Sequence, residues 1–455
     1  MSRLAKLRIS QVGLRGVVGE GLTAEHAVEF AAAFGTFLGE PGTVVIGRDP
    51  RSSGVMLREA VVSALMACGH DVLDLGIVST PVIQHTMWRV KAAGGVSIGA
   101  SHNAAEWNAL KFLGRGGSYL STAEASELLD IYHLRKFAFV EWDRLGGLSP
   151  DTNGIDAYLD ELKEAFDFEG LKRFRVLVDC CNGTSSLILR RLQQRFGFDF
   201  ILINERIEGV TLAHEPSTSS RIVGLQLAPL VPPTGADAGF LFDLDADRVA
   251  MATEQGQPVS EEVMLPLLAD YYLPRTEAKL VITNLSTTAL VEEIARQHGG
   301  QVIRVPVGRP AAADALATYS ADQVAIAGEG TGAVMMSRFR FAYDGIASML
   351  GVLTLMRERG QKLSEIVGGY PRYSILKGEI PLENQRIPSL LIELRKRYSD
   401  GRHNTADGLR VDWEDRWFHV RVSQTEPVIR VICEQRGAPP QALFEALMEQ
   451  VRAYA

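Results

Sequence analysis

At 455 residues the chain is too long for one ordinary domain, and three or four folded units are expected. A hydrophobic content of 46% and a charged content of 22% are those of a globular protein, and a net charge of -8 with no basic block to offset it argues against a nucleic-acid partner. No apolar run reaches the ~18 residues of a membrane span, so no membrane partner is expected. The polar start MSRLAKLRIS lacks a signal peptide's apolar centre, and Cys68, Cys180, Cys181 and Cys433 are too scattered for a disulfide or zinc framework, which points to a reduced, cytoplasmic compartment.

In chain order, QVGLRGVVGEG first places Arg15 between glycines, where an arginine suits a phosphate or a backbone-positioning task. A β-branched run, a polar turn and an apolar-periodic helix then follow in TVVIGRDPRSSGVMLREAVVSALMACG. The same pattern returns in RVLVDCCNGTSSLILRRLQQRFG and KLVITNLSTTALVEEIARQHGG, the three copies starting at residues 43, 175 and 279. Each copy ends in a helix-capping glycine, and another strand-like segment comes next: DVLDLGIV, DFILINERI and QVIRVPVG. Strand–helix–strand units of this kind build parallel sheets. Their spacing suggests triplicated α/β domains rather than a solenoid, whose period is about 20–50 residues; a chance recurrence among look-alike α/β units is the alternative. The tail differs: after GGYPRYSILKGEI come a helix, PSLLIELRKRYSD, two alternating segments, GLRVDWEDRWFHVRVS and PVIRVICE, and a terminal amphipathic helix. They read as antiparallel strands in a small α+β domain that begins near residue 370.

Four stretches carry chemistry. In SIGASHNAAEWNALKF, Ser101 stands beside His102 and Asn103, with Lys111 ten residues on. Neighbouring Ser and His side chains point apart on an extended chain, and the glycine that a nucleophile elbow needs after the serine is Asn103, so a serine–histidine pair is disfavoured. A serine that carries a phosphoryl group fits better, its charge offset by Lys111 and His102. FDLDADRVAM holds Asp243, Asp245 and Asp247 at every second position. On an extended chain that spacing aims three carboxylates to one side, where a hard cation such as Mg²⁺ would neutralise them and could bind the serine phosphate. A solvated acidic turn is the plain alternative. An EF-hand is disfavoured because Arg248 stands where its tight turn needs glycine, although Glu254 falls at the twelfth position. AGEGTGAVMM offers Glu329 and Thr331 in a glycine-rich loop, better matched to sugar hydroxyls than to phosphate, with a structural turn equally open. RVSQTEPVIR sets Arg421, Ser423, Thr425 and Arg430 around a turn, a donor set suited to a phosphate dianion.

These stretches, in this order, resemble the α-D-phosphohexomutase superfamily. Its marks are a Ser-His-Asn loop, a D-x-D-x-D-R metal loop, a G-E-x-[ST]-G sugar loop and an R-x-S-x-T-E-P-x-x-R phosphate loop; here they stand as ASHNAAEWNALK, DLDADR, GEGTG and RVSQTEPVIR. The resemblance implies three similar mixed-sheet α/β domains plus a smaller C-terminal α+β domain around a central cleft, divided at 1–152, 153–256, 257–370 and 371–455. It also implies 1-phosphate/6-phosphate interconversion of a hexose phosphate through a phosphoserine at Ser101 and a hexose 1,6-bisphosphate. One Mg²⁺ per chain would be held by Ser101, Asp243, Asp245 and Asp247. Glu329 and Thr331 would take the sugar hydroxyls, and Arg421, Ser423, Gln424, Thr425 and Arg430 the resting phosphate. Arg15, His102, Lys111 and Arg248 would lie at the reacting one, with Lys111 able to move a proton if its pKa is lowered. The chain would act as a monomer or homodimer.

Departures from the family pattern are Ala104 where proline is usual, Asn108-Ala109 for Asn-Gly, Leu244 for glycine, Gln424 for asparagine, and Ala333 where many members carry an acid–base histidine. EWNALKF and the GEG loop resemble the subset usually assigned to phosphoglucosamine mutation. Glucose or mannose phosphate, or a silent sugar-phosphate binder, are the competing readings.

Overall fold

The structure, a computed structural model, describes residues 7–207, 211–319, 322–381, 386–423 and 428–454. Its first sheet contains β1 (Leu7–Ser10), β2 (Gly13–Val17), β3 (Thr43–Arg48), β4 (Asp71–Ile77), β5 (Gly94–Ile98), β6 (Trp107–Leu113) and β7 (Leu148–Pro150), ordered β1-β2-β6-β5-β3-β4-β7. The second contains β8 (Arg175–Asp179), β9 (Asp199–Ile203), β10 (Ala238–Phe242) and β11 (Val249–Thr253), ordered β11-β10-β8-β9. The third contains β12 (Leu280–Asn284), β13 (Gln301–Val305), β14 (Val324–Gly328) and β15 (Val334–Met336), ordered β13-β12-β14-β15.

The repeated unit is therefore larger than the strand–helix–strand pattern. In each sheet a first strand (β3, β8, β12) pairs in parallel with a second (β4, β9, β13) on one side and a third (β5, β10, β14) on the other. A fourth strand (β6, β11, β15) returns antiparallel to the third. The third strands, GGVSI, AGFLF and VAIAG, are buried at every position, as strands covered on both faces are. Helices cover them with narrow apolar stripes: Ile188, Leu189 and Leu192 in Ser185–Phe196, and Val291, Ile294 and Ala295 in Leu290–Gln297. The winding reverses between first and third strands, and open sheets of this kind take ligands beyond the strand ends at such a point. Two loops reach that place in every repeat, one after the first strand and one between the third and fourth.

The last sheet is antiparallel throughout and holds β16 (Tyr373–Pro381), β17 (Arg402–Asn404), β18 (Leu409–Asp412), β19 (Arg416–Val422) and β20 (Val428–Arg436), ordered β16-β20-β19-β18-β17. The segment YSILKGEIP, which the sequence pattern leaves unassigned, forms its nine-residue edge strand. Helices Ile387–Arg397 and Gln441–Tyr454 lend Leu390, Leu394, Leu447 and Val451 to a core shared with Phe418 and Val431. No helix among the described residues is long and apolar enough to cross a membrane.

Candidate active site

The loops after β5, β10 and β14 and the β19–β20 strand ends converge on one cleft of about 370 Å³, within the range of small-molecule sites. Arg15, Ser101, His102, Lys111, Arg248, Glu329, Thr331, Arg421, Ser423 and Arg430 all line it, so residues up to 415 positions apart in the chain (15 to 430) face one space. Gln424 and Thr425 lie outside the described residues.

Ser101 is 3% exposed and takes a left-handed backbone conformation, φ +50°, unusual for a residue with a β-carbon. Its Oγ donates to Asp243 Oδ2 at 2.5 Å, which joins the serine loop to the acidic loop of the next sheet. His102 lies exposed on the cleft wall, and its Nδ1 accepts from Arg248 Nη1 at 3.3 Å. The cleft walls, then Arg248, Arg15 and Lys111, hold its pKa well below the usual imidazole value, disfavouring the charged form. Arg15 Nη1 donates to Asn103 Oδ1 at 2.8 Å.

The acidic triplet does converge, but not by the extended geometry its spacing suggested. Asp243 to Arg248 form the turn between β10 and β11, with Asp243 O accepting from Ala246 N at 3.2 Å and Ala246 at φ +53°. One carboxylate oxygen from each lies within 4.8 Å of the others, and all three residues are buried. Oδ1 of Asp245 and of Asp247 are buried without a hydrogen-bond partner. Burial, with Asp245 and Asp247 beside it, pushes Asp243 well above the usual carboxylate range. Orphaned oxygens in an all-oxygen donor set fit a hard cation, and the triplet is able to hold a metal ion. Glu254 is not part of it: its carboxylate accepts from the Ser364 N–H at 3.2 Å.

Lys111 departs from the condition set for it. Its ammonium pairs with Asp245 and lies 3.7 Å from Asp247. Against the cost of burial, those two carboxylates raise its pKa, so the proton is held more tightly rather than released. Two partners of the triplet escaped the motif reading. Thr80 Oγ1 donates to Asp245 Oδ2 at 2.9 Å, and Arg309 Nη2 donates to Asp247 Oδ2 at 2.9 Å, its guanidinium 3.9 Å from the Tyr343 ring centroid and 4.8 Å from that of Tyr119. Both stand at a helix start just before a proline, Thr80-Pro81 in the first repeat and Arg309-Pro310 in the third. Aligning STPV with GRPA across the repeats is the sequence signal that would have found them.

On the opposite wall, Glu329 Oε1 accepts from Tyr343 Oη at 3.3 Å and the Gly330 N–H donates to Thr287 Oγ1 at 3.1 Å. A β-carbon on Gly330 would come within 2.0 Å of a Glu262 carboxylate oxygen, so any larger residue there would displace the Glu262 carboxylate. Glu262, which the motifs did not mark, pairs with Lys377 of β16 at 2.7 Å. Arg421 and Arg430 are cross-strand partners on β19 and β20; Arg421 Nε donates to Asp407 Oδ2 at 2.9 Å and Arg430 lies 3.3 Å from Glu379.

Family models described as phosphoglucomutase/phosphomannomutase alpha/beta/alpha domains I, II and III match residues 7–138, 156–256 and 260–373, one to each repeated sheet. The chain belongs to the phosphoglucomutase/phosphomannomutase family. Among its relatives, a phosphoglucomutase/phosphomannomutase of Thermococcus kodakarensis is 32% identical over 93% of this chain and 94% of its own. A protein named probable phosphoglucosamine mutase from Pyrococcus abyssi is 33% identical over 96% and 95%. A family protein of Burkholderia thailandensis superposes with a TM-score of 0.82 at 24% identity, covering 100% of this chain and 97% of that one. Aspergillus fumigatus N-acetylphosphoglucosamine mutase, solved with GlcNAc-6P and magnesium, shares the fold at a TM-score of 0.60 and 14% identity over 94% and 97%. As a member of this family the protein is a phosphohexomutase, and the fold expected from its motifs is the one observed.

Proposed function

We propose that the protein interconverts a hexose 1-phosphate and 6-phosphate through a phosphoserine at Ser101 and a hexose 1,6-bisphosphate, with glucosamine phosphate as the preferred substrate. The observation that carries this reading is the 2.5 Å contact of Ser101 Oγ with Asp243, on a cleft that Arg421 and Arg430 also line. Several relatives named for phosphoglucosamine mutation support the sugar, while the relative named phosphoglucomutase/phosphomannomutase keeps the glucose and mannose esters as the second reading.

In this reading each unit, divided at 1–152, 153–256, 257–370 and 371–455, supplies one part of the site. Ser101 gives its phosphoryl group to a sugar hydroxyl, the sugar turns over, and the other phosphate returns to the Ser101 oxygen. Asp243, Asp245 and Asp247 would hold one Mg²⁺ beside Ser101, which supplies charge stabilisation to the transferring group. Arg15 and Arg248 position that group from the cleft side. Lys111, its proton locked by two carboxylates, acts as a fixed positive charge. His102, its imidazolium disfavoured by Arg248, Arg15 and Lys111, contributes as an uncharged hydrogen-bonding group beside Ser101 rather than as a strong base. Glu329 and Thr331 hold sugar hydroxyls in either orientation, and Arg421, Ser423, Gln424, Thr425 and Arg430 hold the resting phosphate.

The test is intact mass combined with turnover. A fraction carrying one phosphoryl group at Ser101 should lose it to glucosamine 6-phosphate, and less readily to the glucose and mannose esters, in the presence of Mg²⁺. Ser101→Ala should fold normally and lose nearly all turnover; turnover at the wild-type level would remove Ser101 from the chemistry. A label that no sugar phosphate discharges would leave only binding.

A further inference from the structure

One buried arginine outside the four motifs reaches the reactive loop with four of its five donors. Arg51 follows β3 and is 1% exposed. Its Nε donates to Asp49 Oδ2 at 3.0 Å. Nη1 donates to the carbonyls of Ala104 and Trp107, the latter at 3.0 Å, and Nη2 to those of Ser101 at 3.1 Å and Asn103 at 2.6 Å. A guanidinium has five N–H groups in a planar fork, and all five are in use here, four of them on the backbone of one short loop. Asp49 completes the clamp: Oδ1 accepts from Arg51 N at 3.1 Å and Oδ2 from Ala100 N at 3.2 Å. Gly99 lets Asp49 sit this close, since a β-carbon there would lie 2.7 Å from Asp49 Oδ2.

Beyond the clamp, the loop is tied outward by Ser101 Oγ to Asp243, by Arg15 to Asn103 Oδ1 and by Val18 N to Glu106 O at 3.0 Å, none of which gathers its carbonyls together. Its own backbone bonds are two turns, Asn103 N to Ala100 O and Trp107 N to Ala104 O, each 3.1 Å. Position 104 has no proline to fix φ, and Ser101 sits in a left-handed conformation that surrounding contacts must enforce. The matching loops of the other repeats make the same kind of contact with neutral groups. Thr184 donates to Leu244 O through its N–H at 2.9 Å and its Oγ1 at 3.0 Å, and Thr287 Oγ1 accepts from Gly330 N. Lys377 Nζ also reaches Gly330 O at 3.5 Å, but among the described residues it is on the loop carrying the serine that this support is a guanidinium fork.

We propose that Arg51 is a positioning residue for the phosphoryl transfer: by gathering the carbonyls of Ser101, Asn103, Ala104 and Trp107 it keeps Ser101 Oγ aimed at the acidic loop and supplies the rigidity that Ala104 does not. This rests on the reading of Ser101 as the phosphoryl carrier. Arg51→Lys keeps the charge opposite buried Asp49 but loses the fork. Its kcat, per folded molecule, should fall about 100-fold, the scale of an ångström-level misplacement, with KM for the hexose phosphate within about threefold. Labelling of Ser101 by hexose 1,6-bisphosphate should slow in proportion. A purely architectural arginine would instead lower the yield or melting temperature and leave kcat per folded molecule unchanged, and that result, or a KM rising as much as kcat falls, would overturn the proposal. Hydrogen exchange on the wild-type protein needs no variant: the amides of Ala100, Asn103 and Trp107 should exchange as slowly as those of β5. Exchange at the rate of an open surface loop would overturn the clamp whatever the enzyme turns over. Absence of any mutase turnover in the wild type would instead strike at the function and leave this exchange result standing.

Discussion

Val45 of the first repeat, Phe240 of the second and Leu265, Ile294 and Leu353 of the third belong to one continuous apolar cluster, whereas the C-terminal domain keeps a separate core around Phe418 and Val431. What joins that domain to the third repeat is mostly polar. Arg410 donates to Leu285 O, Ser286 Oγ meets His419 Nδ1 at 2.8 Å, Ala289 N donates to Glu434 Oε2 at 2.7 Å, and Val307 N donates to Asp407 Oδ2 at 3.0 Å. Apolar burial is lost in proportion to the area exposed, while hydrogen bonds can be exchanged for water at small net cost. The chemistry thus sits on welded units, and the grip on the resting phosphate sits on a unit held by exchangeable bonds.

That contrast makes turnover and substrate affinity separable. On the welded side, Asp245→Asn should cut kcat by about 100- to 1,000-fold, as loss of a group placed to stabilise transition-state charge does, with a smaller change in KM. Calorimetry of the variant should also show weakened divalent-ion binding; a change confined to KM would break the contrast. On the tethered side, Arg430→Gln should raise KM about 10-fold, the scale of one charge-assisted hydrogen bond, and leave kcat within about threefold. Equal losses in both constants would show that the grip and the chemistry are not separable.

The smallest effect is a pH dependence of the tether. Burial lowers the pKa of His419 to about 4, although the Asp407 carbonyl and carboxylate act the other way. Its value in the unfolded chain is about 6.5, so the unfolded state binds the proton more readily and stability rises with pH between the two values. This contribution is complete above about pH 6.5 and is lost as pH falls toward 4. Glu434 at the same interface has a raised pKa, from burial first, and acts in the opposite direction, so the informative quantity is a difference. Protease susceptibility of β19 in wild type, minus that in His419→Gln, should grow between pH 7 and pH 5; identical profiles would remove His419 from the tether.

The parts of the site that sequence reveals are those written as short local words. Ser101, the aspartate triplet, Glu329, Thr331, Arg421, Ser423 and Arg430 each lie in such a word, and all line or adjoin one cleft. What escaped is set by pairing at a distance. Arg51 is one arginine in a polar turn until the fold brings the loop of Ser101 onto it, 50 positions later. Arg309 meets Asp247 across 62 positions, and Thr80 meets Asp245 across 165. The bend of the acidic loop was illegible because Ala246, unlike glycine, gives no sign of a positive φ. Lys111 was legible as a cation, but the direction of its pKa depends on two carboxylates from another sheet.

One small feature recurs beneath all three repeats. Asp49, Asp179 and Asn284 close their first strands, and each Oδ1 accepts the N–H two residues on, from Arg51 at 3.1 Å, Cys181 at 2.9 Å and Ser286 at 2.8 Å. The same knot ties off the same strand end three times, while the residues beyond it differ completely. Strand packing and loop content are thereby uncoupled, like a socket and what is plugged into it. Substitutions beyond the knot can retune which sugar or ion is met without renegotiating the sheet, whereas a change at the knot disturbs every group its loop presents.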